Sequence, residues 1–448
     1  MINMRLSEAA QALDATCQGT DVDFRGCSTD TRTLCSGELF IALRGQRFDG
    51  HQFVPHARQR GAKAAMVEYL EGDRLPAVVV NDTRVAMGRL AGTWRMRFDI
   101  PVIAVTGSNG KTTVKEMLNS ILSLKAPVLA TQDNLNNEIG VPLTLFDLDD
   151  SHHFAVIEMG ANHPGEIAWL SQTGRPTVAL ITHCGPTHLE GFGNIEGVAR
   201  AKGEVFQGLP EDGVAVINAD DAYAGLWCKM AAPRRCLTFA SNASADVKAG
   251  LIDRSPEQSR FVLKSGSGTV DITLSLPGKH NVMNALAATA CALAVGIDLE
   301  LIKRGLESMR PVCGRLQSKR GPHGSRLLDD SYNANPASLQ AALDVLADFE
   351  GKRWLVLGDM GELGSAAANL HESVGSLARK AGVERMYAIG DLSRLAAKTF
   401  GKGAHHYEKA DQLITALAAG LHEDVTVLIK GSRSMHMEQV VASLAEGN

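Results

Sequence analysis

The 448-residue chain has no Cys-x-x-Cys pair, and its 14 histidines form no cluster at zinc-binding spacing, which argues against a structural zinc site. Its eight cysteines, at 17, 27, 35, 184, 228, 236, 291 and 313, are scattered and read as reduced thiols. An excess of one charge is also missing. The 45 Lys and Arg face 50 Asp and Glu with no block of like sign, so nucleic acid and anionic membrane surfaces are poor partners. Long apolar runs are absent too: the Ala-rich stretch 285–296 is too short to span a bilayer, and Met1 to Glu8 lacks a signal peptide's apolar core. These absences leave a cytoplasmic protein that binds small, specific ligands, with no stable membrane association. The length suggests about three domains, and no repeat or low-complexity tract is visible.

What is present is a phosphate loop. Pro101 to Val105 is an apolar strand that runs into Thr106, Gly107, Ser108, Asn109, Gly110, Lys111, Thr112 and Thr113. Gly107 and Gly110 let backbone N–H groups turn inward at phosphate oxygens, Lys111 can bridge the outer phosphates, and Thr112 can hold Mg²⁺. Val114, Met117, Leu118, Ile121 and Leu122 recur at helical spacing, so a helix should start at the loop and aim its positive end at the phosphates. The general pattern wants a further glycine at 105, where Val stands.

Around this loop the pattern is α/β. Strand-like runs at 39–43, 64–67 and 77–80 with a helix at 85–98 predict a small N-terminal α/β domain. Strands at 102–106, 154–158, 177–182 and 213–217 alternate with helices, which predicts a parallel sheet with its ligand crevice at the strand carboxyl ends. From 246 to 276 the pattern changes to alternating β-type residues, then returns to helices at 281–295 and 298–308. After a boundary near Pro311, strands at 326–329, 354–357, 386–389 and 425–429 alternate with helices at 337–348, 367–381 and 409–419, predicting a second open sheet.

Polar residues stand at several strand ends. Glu158 ends the strand 154–158 and is placed to ligate Mg²⁺ opposite Thr112. In the next strand-end loop His188 or Glu190 could supply a second metal ligand, although neutral imidazole is an uncommon partner for Mg²⁺. Lys202 reads by default as an exposed helical lysine. Lys279 to Asn284 open a helix after a Pro-Gly turn and could meet an adenine edge or simply cap the helix. Asp329 to Pro336 repeat the strand-end pattern in the last domain, which suggests two ligands brought together between sheets.

Taken together these residues resemble the Mur ligase family of peptidoglycan synthesis over essentially the whole chain. The family's phosphate loop, Thr-Gly-x-Asn-Gly-Lys-[Thr/Ser], stands at Thr106 to Thr112 and dispenses with the earlier glycine. Asn134-Leu135-Asn136-Asn137 with Gly140 and Pro142, Glu158-Met159-Gly160, His188, Lys202-Gly203-Glu204, Asn218 to Asp221, His280-Asn281, Gly314-Arg315 and Asp330 follow in the family's order. Ser331 to Pro336, Gly358 to Gly364 and Lys430 to Arg433 mark the member that handles a dipeptide, and the diaminopimelate-selecting Asp-Asn-Pro-Arg signature is absent.

The resemblance implies three domains: a uridine-nucleotide substrate domain (1–98), a central P-loop ATPase-like domain (99–311) and a C-terminal, Rossmann-like D-Ala-D-Ala domain (312–448). It implies ATP and Mg²⁺ as cofactors, UDP-N-acetylmuramoyl-tripeptide and D-alanyl-D-alanine as substrates, an acyl-phosphate intermediate, and a monomer. By the same resemblance Thr29, Asp30, Thr31 and Arg32 lie around the uridine diphosphate. Thr106 to Thr113 hold ATP, with Asn281 at the adenine, Arg315 at a phosphate and Asp330 at the ribose. Thr112, Glu158, His188 and Lys202 as a carbamate ligate magnesium, and Lys111, His188, Lys202 and Arg315 form the catalytic set. Asn134, Asn136, Asn137, Asn333 and Asn335 contact substrate. Ligands arriving from separate domains imply closure during turnover.

Overall fold

A computed structural model describes residues 1–45, 48–70 and 75–446. Its elements form three α/β assemblies in chain order.

In the first, Cys27–Ser28, Leu39–Ile41, Ala64–Val67 and Ala77–Val79 lie parallel, and Thr16–Gln18 adds an antiparallel edge. A small ribbon of Asn3–Arg5 and Asp23–Arg25 flanks this sheet. The helix Thr83–Arg95 starts where Asp82 caps the Arg84 and Val85 N–H groups, and it buries Met87, Leu90, Ala91 and Trp94. Those side chains join one apolar core with Phe146, Leu148, Ile167 and Leu170 of the next assembly, so the first two parts pack as a unit. Trp94 Nε1 donates to the Leu148 carbonyl at 3.1 Å inside that core.

Among the described residues the central sheet has nine strands, with Val102–Thr106 between Phe154–Glu158 and Val178–Ile181. The chain leaves this strand for one side and returns on the other, and at such a switch point the crevice opens at the strand carboxyl ends. The β-type stretch after 246 becomes Val247–Arg254, Ser259–Ser265 and Gly268–Leu274, which extend the same sheet, the last two antiparallel. Strands Val128–Ala130 and Arg235–Ala240 were too short or too mixed in pattern to stand out in the sequence. Helices Lys111–Leu122, Lys279–Ala294 and Leu299–Ser308 share a second core on one face.

The third sheet orders its strands as Gln317–Arg320, Arg326–Asp330, Val425–Lys430, Lys352–Gly358, Arg385–Ile389 and Ala404–Tyr407, all parallel except the first. Because Val425–Lys430 inserts between two earlier strands, the loops after Asp330, Gly358 and Lys430 converge at one edge. Its cores, on both faces, draw only on residues from Leu316 onward.

Candidate active site

The phosphate loop forms where the sequence places it. Val105 is a buried strand residue, so the turn starts later, at Gly107 with φ 145° and Gly110 with φ 83°. A Cβ at Gly107 would lie 2.0 Å from Thr182 Oγ1, and one at Gly110 would lie 2.4 Å from Asn284 Oδ1, so both positions need glycine. Lys111 Nζ folds back to donate to the Gly107 carbonyl at 2.9 Å. Burial pushes its ammonium below the ordinary lysine range, against the pull of Glu158.

A cavity of about 650 Å³ opens in front of the loop. Ser108 to Thr112, Asn134, Asn136, Asn137, Glu158, His188, Lys202, Arg315, Asn333 and Asn335 all line it. Glu158 is 2% exposed; Asn136 Nδ2 donates to its Oε1 at 2.9 Å, while its Oε2 is buried without a partner. An orphaned carboxylate oxygen facing a phosphate loop suits a cation. Among the described residues no group of three or more His, Cys, Asp and Glu side chains is assembled for a metal.

Arg315 reaches across from the third assembly to donate from Nη2 to Thr112 Oγ1 at 3.3 Å, and its Nε is buried with no partner. Its guanidinium lies 4.1 Å from the Tyr332 ring centre. His188 takes a left-handed backbone (φ 51°), and its Nδ1 lies 2.7 Å from Glu362 Oε2 without hydrogen-bond alignment.

Lys202 departs from the default expectation of an exposed lysine. It is 1% exposed on helix Ile195–Gly203, with no hydrogen-bond or ion-pair partner among the described residues, and its Nζ lies 5.7 Å from the Phe192 ring centre. Burial pushes its ammonium down to about 7, and the charge of Lys111 adds to that. With its midpoint pushed down to about 7, a substantial share of this amine is unprotonated, and so nucleophilic, near neutral pH.

A second cavity of about 290 Å³ adjoins the loop and is lined by Thr113, His183, Asn218, His280, Asn281, Asn284 and Asp330. Asn281 is buried; its Nδ2 donates to the Pro277 carbonyl at 2.8 Å, so it braces the turn it follows while facing this space. Asp330 pairs with the buried Lys430 of the adjacent strand.

Several expected site residues lie outside both cavities or have protein partners. Thr106 is fully buried, donates to the Met159 carbonyl at 2.8 Å and lines neither cavity. Thr29, Asp30, Thr31 and Arg32 also lie outside both cavities, in a turn where Arg32 Nη2 donates to Asp30 Oδ2 at 2.6 Å. Asn335 is committed to protein: its Oδ1 accepts from the Ser338 N–H at 2.9 Å to cap helix Pro336–Leu346. The sequence reading did not single out Tyr332, Glu362, His183 or Asn218 for a role. Tyr332, Glu362 and Asn218 stand inside motif stretches and His183 directly follows the strand 177–182, and only the convergence of separate loops brings them to a cavity.

Comparison with known proteins fits this geometry. Residues 23–95 match the Mur ligase family catalytic domain, 105–292 the Mur ligase middle domain and 314–433 the Mur ligase glutamate ligase domain. A UDP-N-acetylmuramoyl-tripeptide--D-alanyl-D-alanine ligase of Escherichia coli is 44% identical over 100% of this chain and 99% of its own. The chain belongs to the Mur ligase family. A crystal structure of MurF from Acinetobacter baumannii, 36% identical, superposes on this Mur ligase with a TM-score of 0.95 and covers 100% of both chains. MurF ligase from Thermotoga maritima in complex with ADP is 27% identical, with a TM-score of 0.82 over 94% of this chain and 96% of its own. Among the described residues of this Mur ligase, no helix is long and apolar enough to cross a membrane.

Proposed function

We infer that the chain is an ATP-dependent ligase that joins D-alanyl-D-alanine to UDP-N-acetylmuramoyl-tripeptide and releases ADP and phosphate. The observation that carries this reading is one cavity lined at once by a phosphate loop, a buried unpaired carboxylate oxygen and the strand-end loops of the third sheet. Whole-length similarity to ligases of that name supports it.

A carboxylate does not condense with an amine in water, because oxide is a poor leaving group. Transfer of the γ-phosphoryl to the tripeptide's terminal carboxylate forms an O–P bond, breaks the bond to ADP and creates an acyl phosphate. The dipeptide amine then attacks the acyl carbon, a C–N bond forms, phosphate departs and the amine loses a proton. Phosphoryl transfer rests on positioning and on neutralising charge at the transferred oxygens, which Lys111 and the partnerless Nε of Arg315 supply. Thr112, Glu158 and His188 would hold magnesium. Bound there, the ion adds positive charge at the phosphate oxygens.

Lys202 is read as the site of a carbamate: its neutral Nζ adds to carbon dioxide, forming an N–C bond and releasing a proton. The resulting anion replaces a buried ammonium that would repel a nearby cation. Adenine is assigned to the 290 Å³ cavity beside Asn281, with Asp330 toward the ribose. The uridine nucleotide is assigned to the first assembly, and the dipeptide to the wall that carries Asn333 and Asn335. The enzyme is read as a cytoplasmic monomer.

ADP release measured with each substrate omitted in turn tests the assignment. A ligase releases ADP only when both the muramyl tripeptide and D-alanyl-D-alanine are present; release with either alone, or with neither, overturns it.

A further inference from the structure

The dipeptide acceptor carries an amine at one end and a free carboxylate at the other. The amine has to meet the acyl carbon on the phosphate side of the cavity. The carboxylate then lies toward the third assembly, at most about 7 Å away for an extended dipeptide. A buried or half-buried carboxylate needs a cationic or multiple N–H partner there.

Two guanidinium groups line the 650 Å³ cavity, and both lie against one ring. Arg315 is 4.1 Å from the Tyr332 ring centre and Arg433 is 5.8 Å from it. Their other partners separate their roles. Arg315 donates to Thr112 and so belongs to the phosphate side. Among the described residues Arg433 makes no hydrogen bond with the phosphate loop; its Nη1 lies 3.4 Å from the carboxylate of Glu438, a solvent-exposed pair that is weak and readily exchanged.

The turn that presents Arg433 is tightly held. The Ser432 N–H donates to the Asp359 carbonyl at 2.9 Å, and a Cβ at Gly431 would lie 2.6 Å from Met437 and 3.2 Å from the Gly358 backbone. Ser432 and Ser434 flank it with hydroxyls 3.2 Å apart on the same cavity wall. A cation on a rigid turn, with a planar fork and neighbouring hydroxyls, is suited to read a carboxylate end-on.

We propose that Arg433 is a specificity-determining residue that binds the terminal carboxylate of the dipeptide acceptor. This rests on the ligase reading above. On this basis the two guanidiniums that share the Tyr332 ring take separate anions, Arg315 the phosphate and Arg433 the acceptor.

The test compares D-alanyl-D-alanine with its C-terminal amide, using the full-length enzyme with ATP and the muramyl tripeptide. Wild type should prefer the acid by about 10- to 100-fold in kcat/KM, the range for a charged hydrogen bond, mostly through KM. Arg433→Ala should raise the KM for the acid by a similar factor and lose the preference, with the KM for ATP unchanged. Arg433→Lys, which keeps the charge without the fork, should retain part of the preference. If a folded variant turns over too slowly to assay, calorimetric titration with the same two dipeptides reads the same discrimination. Equal use of acid and amide by wild type, or an undiminished preference in Arg433→Ala, overturns the proposal. So does a rise in the KM for ATP with the dipeptide KM unchanged, which would make Arg433 a phosphate ligand. Failure of wild type to release ADP with both substrates would instead sink the ligase reading itself.

Discussion

Asn109 in the phosphate loop and Asn335 at the start of a third-assembly helix exchange amide hydrogen bonds, Asn335 Nδ2 to Asn109 Oδ1 at 2.7 Å and Asn109 Nδ2 to Asn335 Oδ1 at 3.4 Å. The pair joins the nucleotide side of the cavity to the wall assigned to the dipeptide. Because Asn335 also caps its helix, the position of that helix is tied to the loop.

Replacing Asn335 by Ala removes the cap and the cross-cavity bond together. A loss of about 1–2 kcal/mol in unfolding free energy is expected. Combined with Asn109→Ala, the loss should be less than additive by about 0.5 kcal/mol or more, since both changes delete the same bond. Urea unfolding of the two single variants and the double variant measures this, and strict additivity would show that the pair contributes nothing.

Lys111→Ala should lower kcat by about 10²-fold or more while leaving the fold intact, because its charge acts on the transferring phosphoryl group. ADP release and circular dichroism together check it. Near-normal release would refute the role.

Asn136 holds Glu158 Oε1, so it orients the carboxylate assigned above to Mg²⁺ as well as lining the cavity. Asn136→Ala should raise the Mg²⁺ concentration for half-maximal activity by about tenfold. A rise in the KM for the muramyl tripeptide at saturating Mg²⁺ would point instead to direct substrate contact.

Lys202 makes two expectations. Activity lost in Lys202→Ala should return in part with added short-chain carboxylates, which supply the missing anion; no rescue would count against the carbamate. Stability supplies the second. Folded Lys202 titrates near 7, whereas an unfolded lysine titrates near about 10.4. Between those values the unfolded chain binds the extra proton, so stability rises with pH across that window, and below it the cost of burying the charge is fully felt. Lys202→Met should flatten this rise in thermal melts without added bicarbonate, and an unchanged slope would show that the buried amine is not its source.

Much of this molecule was legible along the chain. The phosphate loop, its helix and Glu158 lie where local pattern put them, because a strand, a glycine turn and a helix are each specified by residues a few positions apart. The stretch after 246 was legible as β-structure, but its membership of the central sheet was not, since strand pairing is set by distant partners. Thr106 shows the limit inside a motif: it belongs to the phosphate-loop pattern, yet its hydroxyl serves the neighbouring strand end.

By itself the sequence determined the α/β class, the nucleotide loop and the Mur ligase resemblance, since backbone geometry and motif spacing are local properties. The tertiary structure alone decided that Lys202 is buried, with its ammonium pushed down toward neutrality by desolvation, and that Asn335 bonds Asn109. It also decided that Arg315 and Arg433 divide one aromatic ring between them. Those facts depend on desolvation and on contacts between residues up to 226 positions apart, and neither can be read from neighbours in the chain.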